Sequence, residues 1–155
     1  MAPADAVRAA LLRGVAEAAR AALDARAASI TLVDPGTGDL VFEAVAGGGG
    51  PELLGAHFRA DEGLAGHVVQ SGTAVFVEDL ARDPRFAHDI AVEIGYEPDA
   101  LAAAPIGRGS RVVGVLSVLD PGEPPAGGVL AVLDALCIHA AAALELGDAL
   151  GAPTT

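Results

Sequence analysis

Two stretches with the three- and four-residue apolar spacing of a helix, one at each end of the chain, enclose a middle whose apolar residues fall in short β-branched runs. That change of period limits the fold class. Each terminal helix has to bury a stripe, the runs between them read as strands, and a sheet is the surface on which such stripes can lie. In the first stretch, Asp5 to Arg26, the residues Val7, Leu11, Val15, Ala18 and Ala22 make one helical stripe, read here as the buried one. Leu12, Ala16, Ala19 and Leu23 form a second stripe beside it, so the apolar arc is wider than one sheet covers. Arg13 with Glu17 and Arg20 with Asp24 stand at the i,i+4 spacing of solvated ion pairs. In the last stretch, Gly128 to Asp148, the residues Val129, Val132, Leu133, Leu136, Ala140, Ala143 and Leu144 share the face expected on the sheet. Ala135, His139, Ala142 and Leu146 line another face, a small-residue seam that a second helix could approach.

Between these helices, Ser29 to Val33 and Leu40 to Ala46 flank Asp34-Pro35-Gly36-Thr37-Gly38-Asp39 and predict a hairpin. Acidic Asp61 and Glu62 open a short helix over Gly63 to Ser71, with Gly72 where a left-handed cap would close it. Thr73 to Glu78 reads as a strand, and Asp79 to Pro98 as a long connection broken by Pro84, Gly95 and Pro98, the kind of segment that often carries function. Leu101 to Ile106 and Arg111 to Leu119 form a second hairpin across Gly107-Arg108-Gly109-Ser110. The glycine run Gly47 to Gly50 lacks the Gly-Lys-Ser/Thr of a phosphate loop and reads as a loop inside the domain. No internal repeat is visible.

At 155 residues, with 52% apolar and 19% charged residues, the chain has the length and composition of one folded domain. Its net charge of -12 would repel a phosphate backbone or an anionic membrane, so neither nucleic acid nor membrane is an expected partner. The longest uncharged run of helical character, Ala135 to Leu144, is half of the ~20 residues a membrane span needs. All nine basic residues are arginine, so a lysine Schiff base and a P-loop lysine are excluded. A single cysteine, Cys137, excludes an internal disulfide and fits a reducing compartment. Asp5, Glu17 and Asp24 interrupt the N-terminal stretch, which has no apolar core of a signal peptide, and a cytoplasmic location is expected.

The order of helix, hairpin, Glu62-Gly63-Leu64-Ala65-Gly66, Ser71-Gly72-Thr73-Ala74-Val75, Asp79, Asp83-Pro84-Arg85-Phe86, Leu101-Ala102-Ala103-Ala104-Pro105-Ile106 and Val112-Val113-Gly114-Val115-Leu116 resembles the GAF domain family. The resemblance runs from about Ala27 to Glu145. It implies an α+β fold: a five- to six-stranded antiparallel sheet, long N- and C-terminal helices on one face, and a ligand pocket on the other under the connection from Asp79 to Pro98. It divides the chain into an N-terminal packing or dimerisation helix over 1–26, a GAF domain over 27–148 and a tail over 149–155. It also implies a sensory or regulatory module, here expected as a homodimer through the Leu12, Leu23, Ala135 and Ala142 helix faces.

Subtypes of the family are tested on the same residues. Bilin carriers need a cysteine beside the pocket, whereas Cys137 sits on the last helix among Leu133, Leu136 and Ala140. Phosphodiesterase-type cyclic-nucleotide binders carry a pattern needing Asn and Lys, and the chain has neither. Methionine sulfoxide reductases of this fold run on several cysteines. His57, His67, His88 and His139 form no ligand cluster by spacing; His88, in the expected roof, is the residue through which a haem sensor would work, and its other reading is a surface residue. Phe58, Phe76, Phe86 and Tyr96 read either as a stacking cage or as core, and Arg59, Arg82 and Arg85 as anion holders or solvated surface. The expected lining is Phe58, Phe76, Phe86, Ile90, Tyr96, Leu101 and Ala103, with Arg85 and Ser117 as polar contacts. It suits a small, neutral or weakly anionic molecule of unknown identity, with no cofactor named. No nucleophile with a neighbouring base can be assembled, so a binding module is expected rather than an enzyme, and a structural dimerisation module with a degenerate pocket is the alternative.

Overall fold

Helical periodicity at the N-terminus becomes helix α1, Pro3–Ala22, with Asp5 in its first turn and Arg20 in its last, each opposite in sign to the helix dipole end it faces. The computed structural model describes residues 3–48, 51–86, 98–108, 110–123 and 126–151. Strands β1, Ala27–Val33, and β2, Leu40–Gly47, pair antiparallel. Their turn is closed by the Asp34 N–H donating to the Asp39 carbonyl at 2.8 Å, while the Asp34 side chain accepts the Gly36 N–H at 2.8 Å. A two-residue strand β3, His57–Phe58, follows; two residues are too short to show a period, and the sequence did not signal it. Helix α2, Gly63–Ser71, stops at Gly72, whose φ of 68° lets its N–H reach the Val68 carbonyl. Strands β4 (Val75–Val77), β5 (Leu101–Arg108) and β6 (Arg111–Leu119) and helix α3 (Val129–Gly151) complete the order.

The six strands form one sheet in the order β3-β2-β1-β6-β5-β4, every neighbour antiparallel. Both predicted hairpins are present, and the β1–β6 pairing joins them at the centre. Strand alternation then divides the sheet. Ala28 and Ile30 of β1, Ala102, Ala104 and Ile106 of β5, and Leu116 and Val118 of β6 face α1 and α3. The alanines on this face let both helices lie close to the sheet.

Burial reverses the expected assignment of the two α1 stripes. Leu12 is 0% and Leu23 1% exposed, with Ala16 and Ala19 buried between them, while Val7 and Leu11 are each 38% exposed. Both stripes have the same period, and which one meets the sheet is set by how α1 shares that face with α3. Leu12 and Leu23 belong to this chain's own core and cannot form a dimer face. On α3, Ala135 and Ala142 are exposed, and between and beyond them stand Ile138 and Leu146, 70% and 46% exposed. Among the described residues neither Arg13 with Glu17 nor Arg20 with Asp24 is ion-paired; the Arg20 Nε–H donates instead to the Arg26 carbonyl at 3.3 Å.

By length and composition, α3 is apolar enough over Val129–Ala149, 21 residues, to cross a membrane. This corrects the expectation drawn from its longest uncharged run, because Asp134, Glu145 and Asp148 interrupt the apolar stretch without making it polar. One side of the helix, Val129, Leu133, Cys137, Ala140 and Leu144, is core.

Candidate functional site

The opposite face of the sheet carries a smaller cluster. Ala27 of β1, Leu101 and Ala103 of β5, and Val115 and Leu119 of β6 pack with Leu64 and Val68 of α2 and with Leu80. Because side chains alternate, Ser29 and Thr31 share this face with Ala27, and Ser117 stands directly opposite Ser29. Beside this cluster is a cavity of about 70 Å³, bounded by Ser29, Thr31, Ser117, Phe42, Phe58, Phe86, Pro98, Leu101, Leu119 and residues 62–65.

A β-bulge brings one wall into place. Ile30 pairs with Ala44 but Thr31 pairs with Phe42, so Glu43 is the extra residue of β2. Ala44 and Ala46 therefore face the helices, while Phe42 lines the cavity. Strict alternation along β2 would have put all three on one face. Phe42 and Phe58 meet with ring centroids 5.6 Å apart and planes tilted by 46°, within the range of favourable aromatic pairs.

Of the residues expected at the site, Phe58, Phe86, Leu101 and Ser117 line the cavity. Ala103 lies on the same face but inside the packed cluster with Leu64 and Val68. Phe76 does not join them. It pairs with Ala102, a helix-facing residue, and its position on the edge strand leaves it 37% exposed on the wrong side of the sheet. Arg85 is held by Asp83, donating from Nε at 3.0 Å and from Nη2 at 2.7 Å, and does not line the cavity. Ile90 and Tyr96, with His88, lie outside the described residues. Ser29, Thr31, Phe42, Glu62, Leu64 and Leu119 were not picked out. A signal existed for two of them, since Ser29 and Thr31 are polar interruptions two apart in an otherwise apolar strand.

The polar groups of the cavity are short of partners. Thr31 is 2% exposed and its Oγ1 has no hydrogen-bond partner among the described residues, an arrangement that costs free energy unless something else meets the hydroxyl. Helix α2 begins at the cavity without a side-chain cap: Glu62, in the cap position, makes no capping hydrogen bond, and the first helical bond is the Gly66 N–H to the Glu62 carbonyl. The amides of residues 63–65 thus have no intrahelical acceptor.

Charged groups nearby pair with each other. Arg59 meets Asp61 at 2.7 Å and Glu62 at 3.9 Å, and Arg82 meets Asp79 at 3.4 Å. The hydrogen bonds from Arg85 hold the Asp83 carboxyl below the usual range for aspartate. Across the sheet, burial pushes the Cys137 thiol up to about 12, with Asp134 adding to the effect, and its S–H donates to the Ala104 carbonyl at 3.7 Å. Among the described residues no group of three His, Cys, Asp or Glu side chains could hold a metal ion.

The profile of the GAF domain family matches residues 6–145. Among solved structures, the GAF domain of a phosphoenolpyruvate-protein phosphotransferase from Coxiella burnetii superposes with a TM-score of 0.82 at 26% identity, over 94% of this chain and 87% of that one. Residues 122 to 287 of a methyl-accepting chemotaxis protein superpose with a TM-score of 0.80 at 17% identity, over 94% and 93%. A free methionine-R-sulfoxide reductase from Neisseria meningitidis, in complex with its substrate, gives 0.75 at 19% identity, over 92% and 81%. The last two are likenesses of fold. No curated protein matches the sequence.

Proposed function

Because this chain belongs to the GAF domain family, whose members are commonly sensory or regulatory in signalling proteins, we propose that it is a small-molecule sensor. Its ligand would occupy the cavity between α2 and the sheet, and its output would pass through the helix layer on the other face. The observation that carries the reading is the cavity itself: aromatic and aliphatic walls, with a buried hydroxyl and uncapped amides that have no partner among the described residues. A working enzyme of the reductase type would need thiol chemistry, and the one thiol lies on the helix side of the sheet, buried and protonated. We therefore read the protein as a binding module. A lone buried free thiol fits a reducing, cytoplasmic location.

The same proposal includes a homodimer, now through the outward stripe of α1 and α3. Val7, Leu11, Ile138 and Leu146 are large apolar side chains left exposed there, with Ala135 and Ala142 among them. A dimer through this face would couple two cavities across two sheets. A second reading, a dimerisation module with a degenerate pocket, draws on the cavity's small size of about 70 Å³.

Native mass spectrometry of the purified protein and a thermal-shift screen of metabolites separate the two readings. A true ligand at one hundred times its Kd stabilises the fold by ~2.7 kcal/mol; silence across the screen favours the degenerate pocket. Sedimentation at micromolar concentration tests the dimer, with a monomer at every concentration counting against it.

A further inference from the structure

Resting on the sensor reading, we infer that the cavity recognises a short monocarboxylic acid, with the head group met by the start of α2 and the rest lying along the Thr31 side of the sheet. Two independent features meet at one cavity. The first is the N-terminus of α2, a nine-residue helix, with residues 63–65 lining the space and no side-chain cap. Unclaimed amides at a helix start, together with the positive end of the helix dipole, favour a negative oxygen over a neutral or cationic group.

The second is Thr31, 2% exposed and bordering the same cavity, whose hydroxyl has no partner among the described residues. Isosteric valine would fill this place without the cost of an unmet hydroxyl, so the fold alone gives no reason for threonine. Ser29 and Ser117, paired across β1 and β6, add two more hydroxyls on the same floor. A compact molecule with an oxygen a few atoms from its carboxylate matches this layout.

Size and charge narrow the class. About 70 Å³ gives on the order of five water-sized positions, which suits an acid of a few carbons better than a nucleotide. Glu62 also borders the cavity, and Arg59, 3.9 Å from it, offsets its charge only in part. Glu62 stands at the same helix start, so its charge weighs against any anion there and more heavily against a diacid than a monoacid. Phe42, Phe58 and Leu101 supply the apolar walls for the carbon chain.

The test is a calorimetric and thermal-shift titration of the full chain and its Thr31→Val and Thr31→Ser variants. The probes are propanoate, 2-oxopropanoate and 2-hydroxypropanoate, with propanamide, propylamine and butanedioate as neutral, cationic and doubly charged counterparts. At least one of the three monoacids should bind tighter than every counterpart. Thr31→Val should raise the melting temperature of the ligand-free protein by about 2–4 °C, since it removes an unmet hydroxyl, and should weaken that acid about tenfold. Thr31→Ser should keep the affinity. A merely structural role for Thr31 would not stabilise the free protein and weaken binding at once. If propanamide or propylamine binds as well as the acids, the carboxylate inference falls while the sensor reading stands. If none of the six binds, or Thr31→Val leaves affinity unchanged, the inference also falls, and only the wider metabolite screen then decides the sensor reading.

Discussion

The two faces of one sheet are built to different rules. On the helix face, Ala28, Ile30, Ala102, Ala104 and Leu116 meet Leu12, Ala16, Leu133 and Ala140 in a buried, wholly apolar layer. Opposite them, the alternate residues of the same strands include Ser29, Thr31 and Ser117, and one short helix leaves a cavity instead of closing over them. The two central strands, β1 and β6, thus face the helix layer at one parity and the cavity at the other. Close packing of small residues stabilises the first face, whereas unmet polar groups on the second cost stability that a ligand would return.

The contrast can be pressed from the largest expected effect downward. Cys137, on the packed face, should react with a thiol reagent at pH 8 about a thousandfold more slowly than a free thiol, because a thiol pushed up to about 12 holds that much less thiolate. Labelling rates in native and denatured protein check this, and rapid native labelling would mean that the face opens. Leu133→Ala, at a fully buried position of the same face, should cost about 3 kcal/mol in urea unfolding. Gly114→Ala should cost about 1–3 kcal/mol, since an added Cβ would sit 2.5 Å from the Thr31 carbonyl and force β6 away from β1. That variant also disturbs the cavity floor, so any ligand response should weaken with it.

Two smaller effects bear on the edges of the comparison. Asp83 is lowered by its bonds from Arg85, and a carboxyl lowered in the folded state contributes stability above its unfolded pKa of about 3.9. That contribution is lost as pH falls through the lowered folded value, so Arg85→Ala should leave the protein less stable at pH 6 than wild type and the difference should shrink as the medium is acidified past the point where Asp83 takes up its proton. Melting curves across that range measure it. Ile138→Glu, on the outer surface of α3, should change monomer stability by less than about 0.5 kcal/mol. The same substitution should dissociate the proposed dimer in sedimentation, and a dimer that survives it would move the interface elsewhere.

Much of the architecture was legible because it rests on local periodicity. The terminal helices, α2 with its Gly72 cap and both hairpins follow from residue spacing and turn chemistry, and the order of motifs through Glu62-Gly63-Leu64-Ala65-Gly66 pointed to the family. Four of the expected lining residues, Phe58, Phe86, Leu101 and Ser117, do border the cavity. Phe76 failed because aromatic character in a short edge strand says nothing about parity, and parity is set by its pairing with Ala102.

What the sequence determined by itself was therefore the set of elements and their capacity to bury apolar faces, since 3.6- and two-residue periods are written residue by residue. Tertiary structure alone decided which of two equivalent α1 stripes became core, how the Glu43 bulge sent Phe42 to one face and Ala44 to the other, and that Thr31 would end beneath an uncapped helix with its hydroxyl unmet. Each of these depends on register between segments far apart in the chain, and a register shift of one residue exchanges the faces while leaving every local pattern unchanged.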